Sequence, residues 1–355
     1  RASSRCPFLY LHFHLQGNRT VGIIRISIGK SVGEGCIMKV QSFLKYVEIQ
    51  TKLASMISFT LGTALAVYRY QAFNAGNFLL MLISLLCFDM TTTAINNYMD
   101  FKSAKKKSGY GYEKHNAIVR DNIRQPESIA VIIVLGTIAV LAGYMLFLRT
   151  NATVLIVGIV SFSIGVLYSA GPVPISRTPF GEIASGLFMG FFIPFLSVFI
   201  HALDRNILDF AFDGSSFTFH MNVVEVLSIL LCSVPAMMGI ANIMLANNIC
   251  DMEDDLENRR YTLPIYIGRE MALVLFKALY FIAGLSVILG LVLKTIPITG
   301  ILFFITLIPV YKNIKAFEQK QSKAETFGLA VKNFTIMNTV LIFSFLLSVG
   351  IRLFI

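Results

Sequence analysis

The chain has 355 residues, of which 55% are hydrophobic and only 14% charged, and its formal net charge is +10. Soluble domains carry about 25% charged residues, so this composition, with a mean hydropathy of +0.71, excludes a soluble protein and indicates an integral membrane protein. The positive charge does not indicate a nucleic-acid-binding protein, because lysine and arginine accumulate in the cytoplasmic loops of membrane proteins. The five cysteines form no C-x-x-C pair, so we expect neither a disulfide framework nor a zinc site.

The first 37 residues have neither a clean apolar core nor a small-residue cleavage site, and are therefore unlike a secretory signal peptide. Met38 begins a more regular amphipathic run. We expect residues 1–37 to form an N-terminal extension outside the fold, and residues 38–355 to form a single membrane domain.

Nine apolar segments follow, and each is close to the length of about 20 residues that a helix needs to cross a bilayer. They predict an all-α integral membrane fold with nine transmembrane helices around a central cavity. The segments are 53–70, 77–98, 128–148, 152–170, 181–203, 226–248, 271–293, 297–313 and 333–354.

The loops between these segments differ in charge on the two sides of the membrane. Basic residues crowd the loops after segments 2, 4, 6 and 8, whereas the connecting loops of the other side hold only Arg69, Arg149, Arg205 and Lys294. Basic loops stay in the cytoplasm. The pattern predicts a multi-pass protein of the cell membrane with a cytoplasmic N-terminus and an external C-terminus.

The sequence N-N-x-x-D occurs twice, as NNYMD and NNICD, each time at the predicted cytoplasmic end of an apolar helix. A spacing of four places Asn96 and Asp100 on one helical face, and likewise Asn247 and Asp251. Asp255 extends the second series by one further turn.

Acidic side chains are unexpected at these positions. The C-terminus of a helix already carries partial negative charge, and a carboxylate in a membrane segment is costly. Two such clusters indicate a bound cation, and oxygen ligands suit Mg²⁺, which binds substrate phosphates together with few carboxylates. Asp89 lies on the same face as Asn96, and for it a functional role and a buried hydrogen bond to a neighbouring helix stay equally open.

Basic residues surround both motifs, as a diphosphate leaving group requires. A single lysine in these loops is more typical of a topology signal, whereas Arg177 and Arg260 stand in short segments beside the motifs and are better candidates for binding phosphate. The basic residues are Lys105, Lys106, Lys107, Arg124, Arg177, Arg259 and Arg260.

The stretch NNICDMEDDLENRRYTLPIYIG resembles the second aspartate motif of the UbiA superfamily of intramembrane prenyltransferases, in which N-x-x-x-D-x-x-x-D precedes a basic turn, T-L and a glycine. That family has nine transmembrane helices, with aspartate motifs at the cytoplasmic ends of helices 2 and 6. A further stretch, YSAGPVPISRTPFGEIASGLFMG, is similar to the 1,4-dihydroxy-2-naphthoate prenyltransferases of menaquinone synthesis. The resemblance covers residues 42–354.

The resemblance implies transfer of a polyprenyl group from a polyprenyl diphosphate to 1,4-dihydroxy-2-naphthoate, with loss of CO₂ and diphosphate, to give demethylmenaquinol. The expected partners are these two substrates and the lipid bilayer, with the active site facing the cytoplasm; neither nucleic acid nor an obligatory protein partner is expected. The implied cofactor is Mg²⁺, bound by Asn96, Asp100, Asn247, Asp251 and Asp255, of which Asp100, Asp251 and Asp255 are the implied catalytic residues. The implied substrate-binding residues are Lys52, Asn96, Arg124, Tyr168, Arg177, Asn247, Asn258 and Arg260.

The first motif departs from the family pattern. A further acid usually follows eight to eleven residues after its asparagine, where this chain has Ala104 and the cluster Lys105–Lys107. The first metal site is therefore expected to rest on Asn96 and Asp100, and the three lysines either contribute charge near the diphosphate or only fix the topology.

Two alternatives stay open from the residues. One is a prenyltransferase for another aromatic acceptor, of the 4-hydroxybenzoate or haem type. The other is an ion-coupled transporter, because a duplicated acidic motif is also typical of transporter repeats. Transporter sites lie near the membrane midplane in broken helices, whereas these motifs stand at helix ends beside basic loops.

Overall fold

The computed structural model describes residues 9–11, 23–28, 36–103, 116–212 and 214–354, and the structural findings concern these residues. The chain divides into two compact units. The first unit is Arg1–Thr51 with Phe88–Thr137, and the second is Lys52–Cys87 with Ile138–Ile355. The lysine cluster Lys105–Lys107 and most of the predicted N-terminal extension lie outside the described residues.

The first unit begins with three antiparallel strands, β1 (Leu9–Leu11), β2 (Ile23–Ile28) and β3 (Cys36–Lys39), of which β2 is central. The sequence of β2, IIRISI, is rich in isoleucine, which is enriched in strands. Strand β3 crosses the predicted boundary between residues 37 and 38. The division into extension and membrane domain therefore stays a prediction.

Tyr46 organises the helices of the first unit. It ends α1 (Val40–Tyr46), is completely buried, and donates a hydrogen bond of 2.9 Å to the carbonyl oxygen of Ala94 while its hydroxyl also contacts that of Ser128. Ala94 belongs to α3 (Ala75–Ser103) and Ser128 to α5 (Gln125–Arg149), so one phenol ties three helices together. The short α4 (Ala117–Arg120) precedes α5.

The described part of the second unit contains eight further helices. They are α2 (Leu53–Tyr70), α6 (Ala152–Ser169), α7 (Gly181–Phe199), α8 (Val223–Cys250), α9 (Met252–Glu257), α10 (Leu263–Val292), α11 (Leu307–Gln319, after a 3₁₀ segment Ile298–Thr306) and α12 (Phe327–Phe354). Helix α8 lies at the centre of this unit, where it packs against α7, α10 and α12, while α2 packs against α7 and α12. The contacts are made by large apolar side chains such as Phe276 and Phe334, which are almost entirely buried.

Eight helical segments of the described chain are long and apolar enough to cross a membrane. They confirm a helical, multi-pass architecture. They are Ala75–Lys102, Gln125–Arg149, Ala152–Ser169, Gly181–Phe199, Val223–Cys250, Leu263–Val292, Ile298–Gln319 and Phe327–Phe354.

The predicted first span is helical over its predicted residues but is not among these eight. This helix, α2, carries hydroxyl groups from serine, threonine and tyrosine and buries most of its residues inside the protein. A helix surrounded by protein needs less apolar surface than one surrounded by lipid. The ninth span and the orientation of the termini stay predictions.

Between α7 and α8 the chain departs from the all-α pattern and forms a hairpin. Strands β4 (Leu208–Phe212) and β5 (Phe217–Met221) pair antiparallel, with Phe210 opposite Phe219. The segment FTFHM alternates aromatic or apolar side chains with polar ones, as a strand does, and it is too short for a span.

Gly186 and Gly190 of α7 form a G-x-x-x-G pattern and allow close helix packing. A Cβ atom on Gly190 would lie 2.7 Å from the backbone nitrogen of Met237 in α8, and one on Gly186 would lie 3.0 Å from the Met237 carbonyl oxygen. Both distances show that α7 and α8 approach closely at this pattern.

Candidate active site

The second motif occupies a break between two helices. Helix α8 ends at Cys250, Asp251 leaves the helical conformation (φ −99°, ψ 8°), and α9 begins at Met252. The N–H of Asp255 still donates to the carbonyl oxygen of Asp251 over 2.7 Å. The two aspartates therefore lie one helical turn apart, as their spacing predicts.

Asp255 is buried, with an exposed fraction of 5%. Its Oδ2 accepts a hydrogen bond of 3.2 Å from the Thr262 hydroxyl, and its Oδ1 lies 3.5 Å from Nε of Arg260. Burial raises the pKa of Asp255, and repulsion by Asp251 adds to the effect, whereas Arg260 and Thr262 oppose it. A further cation at this carboxylate would offset the unfavourable burial of its charge.

The basic turn after α9, which carries Arg259 and Arg260, is fixed by backbone hydrogen bonds. Arg259 has a positive φ of 55°, and the N–H of Arg260 donates to the Asp255 carbonyl oxygen over 2.8 Å. The next N–H, that of Tyr261, donates to the carbonyl oxygen of Arg177 over 3.1 Å. This bond brings the backbone of the predicted phosphate-binding residue Arg177 beside the turn that carries Arg260.

Asp251 already has a cationic partner. The ammonium group of Lys323, from the turn between α11 and α12, contacts Oδ2 of Asp251. The Asp251 side chain is 17% exposed and that of Lys323 49%. Both aspartates of the second motif thus attract positive side chains.

Glu182 is a component of this region that the sequence does not single out, because an acid suits the N-terminus of a helix in any case. It is buried, and the side-chain amide of Asn248 donates a hydrogen bond of 2.8 Å to its Oε1. It lies near enough to Asp255 for their carboxyl groups to interact electrostatically. Its position in the stretch PFGE beside the candidate Arg177 was the available signal.

Tyr168 lies close to the same helices. Its hydroxyl accepts a hydrogen bond of 3.1 Å from Ser185 and donates to the sulfur of Met244 over 3.3 Å. It also lies within electrostatic range of Glu182 and Arg260. The predicted substrate-binding tyrosine is therefore a member of the second-motif region.

The two asparagines of each N-N pair have different surroundings. In the second motif Asn248 is buried and bonded to Glu182, while Asn247 is only half-buried. In the first unit Asn97 is buried and donates to the carbonyl oxygen of Tyr46 over 2.9 Å, while Asn96 is half-buried. The second asparagine of each pair anchors its helix to another element.

The remaining predicted residues of the first unit lie on α3 and α5 or just before them. Asp100 is half-buried on α3, one turn after Asn96, and Asp89 is half-buried earlier on the same helix. The guanidinium group of Arg124 pairs with Glu127 at 2.6 Å, and its side chain is 49% exposed.

Lys52 and Asn258 occupy contrasting environments in the second unit. Lys52 is almost fully buried at the start of α2, with an exposed fraction of 3%. Asn258 is exposed, and its side-chain amide donates to the carbonyl oxygen of Asp254 over 2.8 Å, which closes the end of α9.

The donor set of the second motif fits a hard divalent cation. Within the described ranges no three acidic, histidine or cysteine side chains converge as a metal cluster. Mg²⁺ does not require one, because it retains waters and takes phosphate oxygens from its substrate. Asp251 and Asp255 supply carboxylate oxygens one turn apart. Lys323 pairs with Asp251 and Arg260 with Asp255, so both carboxylates lie in surroundings that favour a bound cation.

Comparison with known proteins finds a curated relative and solved structures of similar fold. A protein of Bacillus subtilis (strain 168), 1,4-dihydroxy-2-naphthoate octaprenyltransferase, is 31% identical over 306 residues, which cover 85% of this chain and 89% of that protein. The apo structure of a UbiA homologue from Aeropyrum pernix K1 is similar with a TM-score of 0.64 and 17% identity, covering 84% of this chain and 98% of that one.

A second solved structure is a UbiA homologue from Archaeoglobus fulgidus bound to GPP and Mg²⁺. It has a TM-score of 0.60 and 15% identity, and the similarity covers 87% of this chain and 99% of that one. The model of the UbiA prenyltransferase family matches residues 55–345. Because this match spans most of the chain and includes both aspartate motifs, the chain belongs to the UbiA prenyltransferase family.

Proposed function

We propose that this protein transfers a polyprenyl group from a polyprenyl diphosphate to 1,4-dihydroxy-2-naphthoate, with release of diphosphate and CO₂, to give demethylmenaquinol. The supporting observation is the 31% identity to the Bacillus octaprenyltransferase over 85% of the chain. The stretch 168–190 adds support, because Tyr168 and Glu182 belong to it and lie near the second aspartate motif.

The bond changes balance without any further reactant. The allylic C–O bond of the prenyl donor breaks, and both electrons leave with the diphosphate. The ring carbon that carries the carboxylate forms the new C–C bond. The electrons of the bond to the departing CO₂ then restore the aromatic ring.

Mg²⁺ is the proposed cofactor, with Asn96, Asp100, Asn247, Asp251 and Asp255 as the proposed ligands, and when bound it neutralises the diphosphate oxygens. Asp251 and Asp255, one helical turn apart, would supply carboxylate oxygens to it. Arg260 and Arg177 bind the remaining negative charge of the diphosphate. The apolar interior around α8 protects the prenyl cation from water.

The decisive experiment gives purified protein a polyprenyl diphosphate, Mg²⁺ and 1,4-dihydroxy-2-naphthoate labelled in its carboxyl group. We expect labelled CO₂ in a 1:1 ratio to the prenylated product. 4-Hydroxybenzoate serves as the competing acceptor in a parallel reaction. Prenylation of 4-hydroxybenzoate without release of CO₂ would show that 4-hydroxybenzoate is the acceptor in place of 1,4-dihydroxy-2-naphthoate. Ion flux in liposomes without any prenylated product would support the transporter.

We further propose that α2 is a ninth span, that the N-terminus and the active site face the cytoplasm, and that the C-terminus is external. The basic loops support this orientation. Single cysteines at Ser322 and Ser215, in a background without other cysteines, test it with a membrane-impermeant thiol reagent. Labelling of Ser322→Cys from the cytoplasmic side and of Ser215→Cys from the outside is expected, and the opposite pattern would overturn the proposed orientation.

A further inference from the structure

Lys323 reaches the second motif from a part of the chain that carries no recognisable motif. It lies 72 residues after Asp251, yet its ammonium group contacts the Asp251 carboxylate. It is also within electrostatic range of Asp255. The contact therefore adds a segment distant in sequence to a site otherwise built from α8, α9 and the basic turn.

The turn that carries Lys323 is held by its own hydrogen bonds. The Gln321 side chain donates to the carbonyl oxygens of Phe317 and Glu318 over 2.8 and 2.7 Å, which satisfies the end of α11. The Thr326 hydroxyl accepts from the N–H of Ser322 over 2.9 Å and donates to the carbonyl oxygen of Lys320 over 2.8 Å. Lys323 thus stands on an ordered support.

An ammonium group and a divalent cation compete for a carboxylate. Oδ2 of Asp251 already binds the Lys323 ammonium, and the mostly buried Asp251 is weakly screened by water. A metal that takes this oxygen must displace the ammonium. The half-exposed lysine can move toward solvent without unfolding the turn, because the hydrogen bonds that hold the turn are made by Gln321 and Thr326.

We propose that Lys323 is the resident counter-ion of Asp251, which the metal displaces when it binds. The inference rests on the proposed metal role of Asp251. In the metal-free protein Lys323 limits repulsion between the two aspartates, and it makes metal binding weaker than the carboxylates alone would allow. The lysine therefore acts as a positioning residue that sets the metal concentration at which the site fills.

The test measures metal affinity without either substrate, by titrating the purified protein with Mn²⁺ as a paramagnetic probe. Lys323→Met should bind the metal about fivefold more tightly, the scale of one partly exposed ion pair. Lys323→Arg keeps the charge and should stay near the wild-type affinity. The matched control is Lys320→Met, which removes a lysine of the same turn that pairs with Glu325 at 2.6 Å, and it should have no effect.

Asp251→Asn distinguishes a failure of the proposed role of Lys323 from a failure of the proposed metal role of Asp251. The melting temperature of each variant checks that it is folded. Unchanged or weaker metal binding by folded Lys323→Met, while Asp251→Asn loses affinity, would overturn the role of Lys323 and leave the proposed function intact. Unchanged binding by Asp251→Asn would overturn the metal role of Asp251 and this inference with it.

Discussion

Gly190 lies against the backbone of Met237, so that helices α7 and α8 touch without an intervening side chain. Gly190→Ala should destabilise the protein by about 1–3 kcal/mol, the usual range for overpacking, because the new methyl group meets backbone that cannot move independently of α8. The measurement is thermal unfolding in detergent.

Gly158 supplies the control for this substitution. It is also a helical glycine in a span, but a Cβ atom there would meet nothing within 4 Å. Gly158→Ala should leave the melting temperature unchanged or raise it slightly, since alanine favours the helix. Equal melting temperatures for the two variants would contradict close packing at Gly190.

The buried bond between Asn248 and Glu182 gives a second prediction. Asn248→Asp replaces the donor amide with a second carboxylate beside a buried one, which should lower stability by about 1–3 kcal/mol, the scale of an unsatisfied buried polar group. Glu182→Gln retains an acceptor for the amide and should be tolerated better. Thermal unfolding of both variants at neutral pH tests this order, and a less stable Glu182→Gln would contradict it.

Asp255 should favour function at the expense of the stability of the metal-free protein. Burial raises the pKa of Asp255 in the folded state above the unfolded value of 3.8. The contribution of Asp255 to the stability of the folded state is therefore most favourable below pH 3.8 and is lost as pH rises through the folded pKa. Asp255→Asn keeps an acceptor for Thr262 but carries no charge. It should melt at a higher temperature than the wild type near pH 7 without metal, and should have no turnover.

Added Mg²⁺ distinguishes this effect from general stabilisation. It should raise the melting temperature of the wild type and not that of Asp255→Asn, because a ligand stabilises only the state that binds it. Near-normal Mg²⁺-dependent turnover by Asp255→Asn or Asp251→Asn would show that the substituted aspartate is not an essential ligand.

His201 should make stability fall in mild acid. Its Nδ1 accepts a hydrogen bond of 3.0 Å from the N–H of Asn74, and burial lowers its pKa from 6.5 to about 4. The unfolded chain then binds a proton more readily than the folded one, so stability is complete above pH 6.5 and is lost progressively as pH falls toward 4.

His201→Asn keeps an acceptor for that N–H without a titrating ring. Its melting temperature should fall less than that of the wild type between pH 6.5 and 4. His220→Asn alters an exposed histidine of β5 and should follow the wild type. Parallel curves for the wild type and His201→Asn would contradict the assignment of the acid effect to His201.

Apolar runs predicted the helices well and their ends poorly. The predicted segments 77–98 and 226–248 lie within the longer helices Ala75–Ser103 and Val223–Cys250. The extra C-terminal turn of the first helix carries the polar motif residue Asp100, which continues a helix without adding hydrophobicity. The second helix is extended mainly at its start, by Val223, Val224 and Glu225. The start of α10 was missed for another reason: Gly268, with φ of 79°, interrupts it, and the apolar run becomes continuous only afterwards.

The local part of the site was predictable, and the tertiary part was not. Helical periodicity alone placed Asp251 and Asp255 one turn apart, because that relationship depends only on sequence spacing. The contact of Lys323 with Asp251 depends on how α12 packs against α8, and in the sequence Lys323 is one of several lysines in a cytoplasmic loop. Glu182 was similarly hidden, since an acid at a helix start has an ordinary explanation.

The anchoring of Asn97 and Asn248 fixes the rotation of each helix about its own axis. A ligand oxygen lies about 6 Å from that axis, so a rotation of about 2° moves it by about 0.2 Å, the tolerance of a metal–ligand distance. Adjacent residues on a helix point about 100° apart, so Asn248 can secure this angle while Asn247 points elsewhere. The two asparagines of each pair are therefore chemically identical and not interchangeable. Without the first, the helix would lose a proposed ligand; without the second, it would lose the angle at which the proposed ligands are presented.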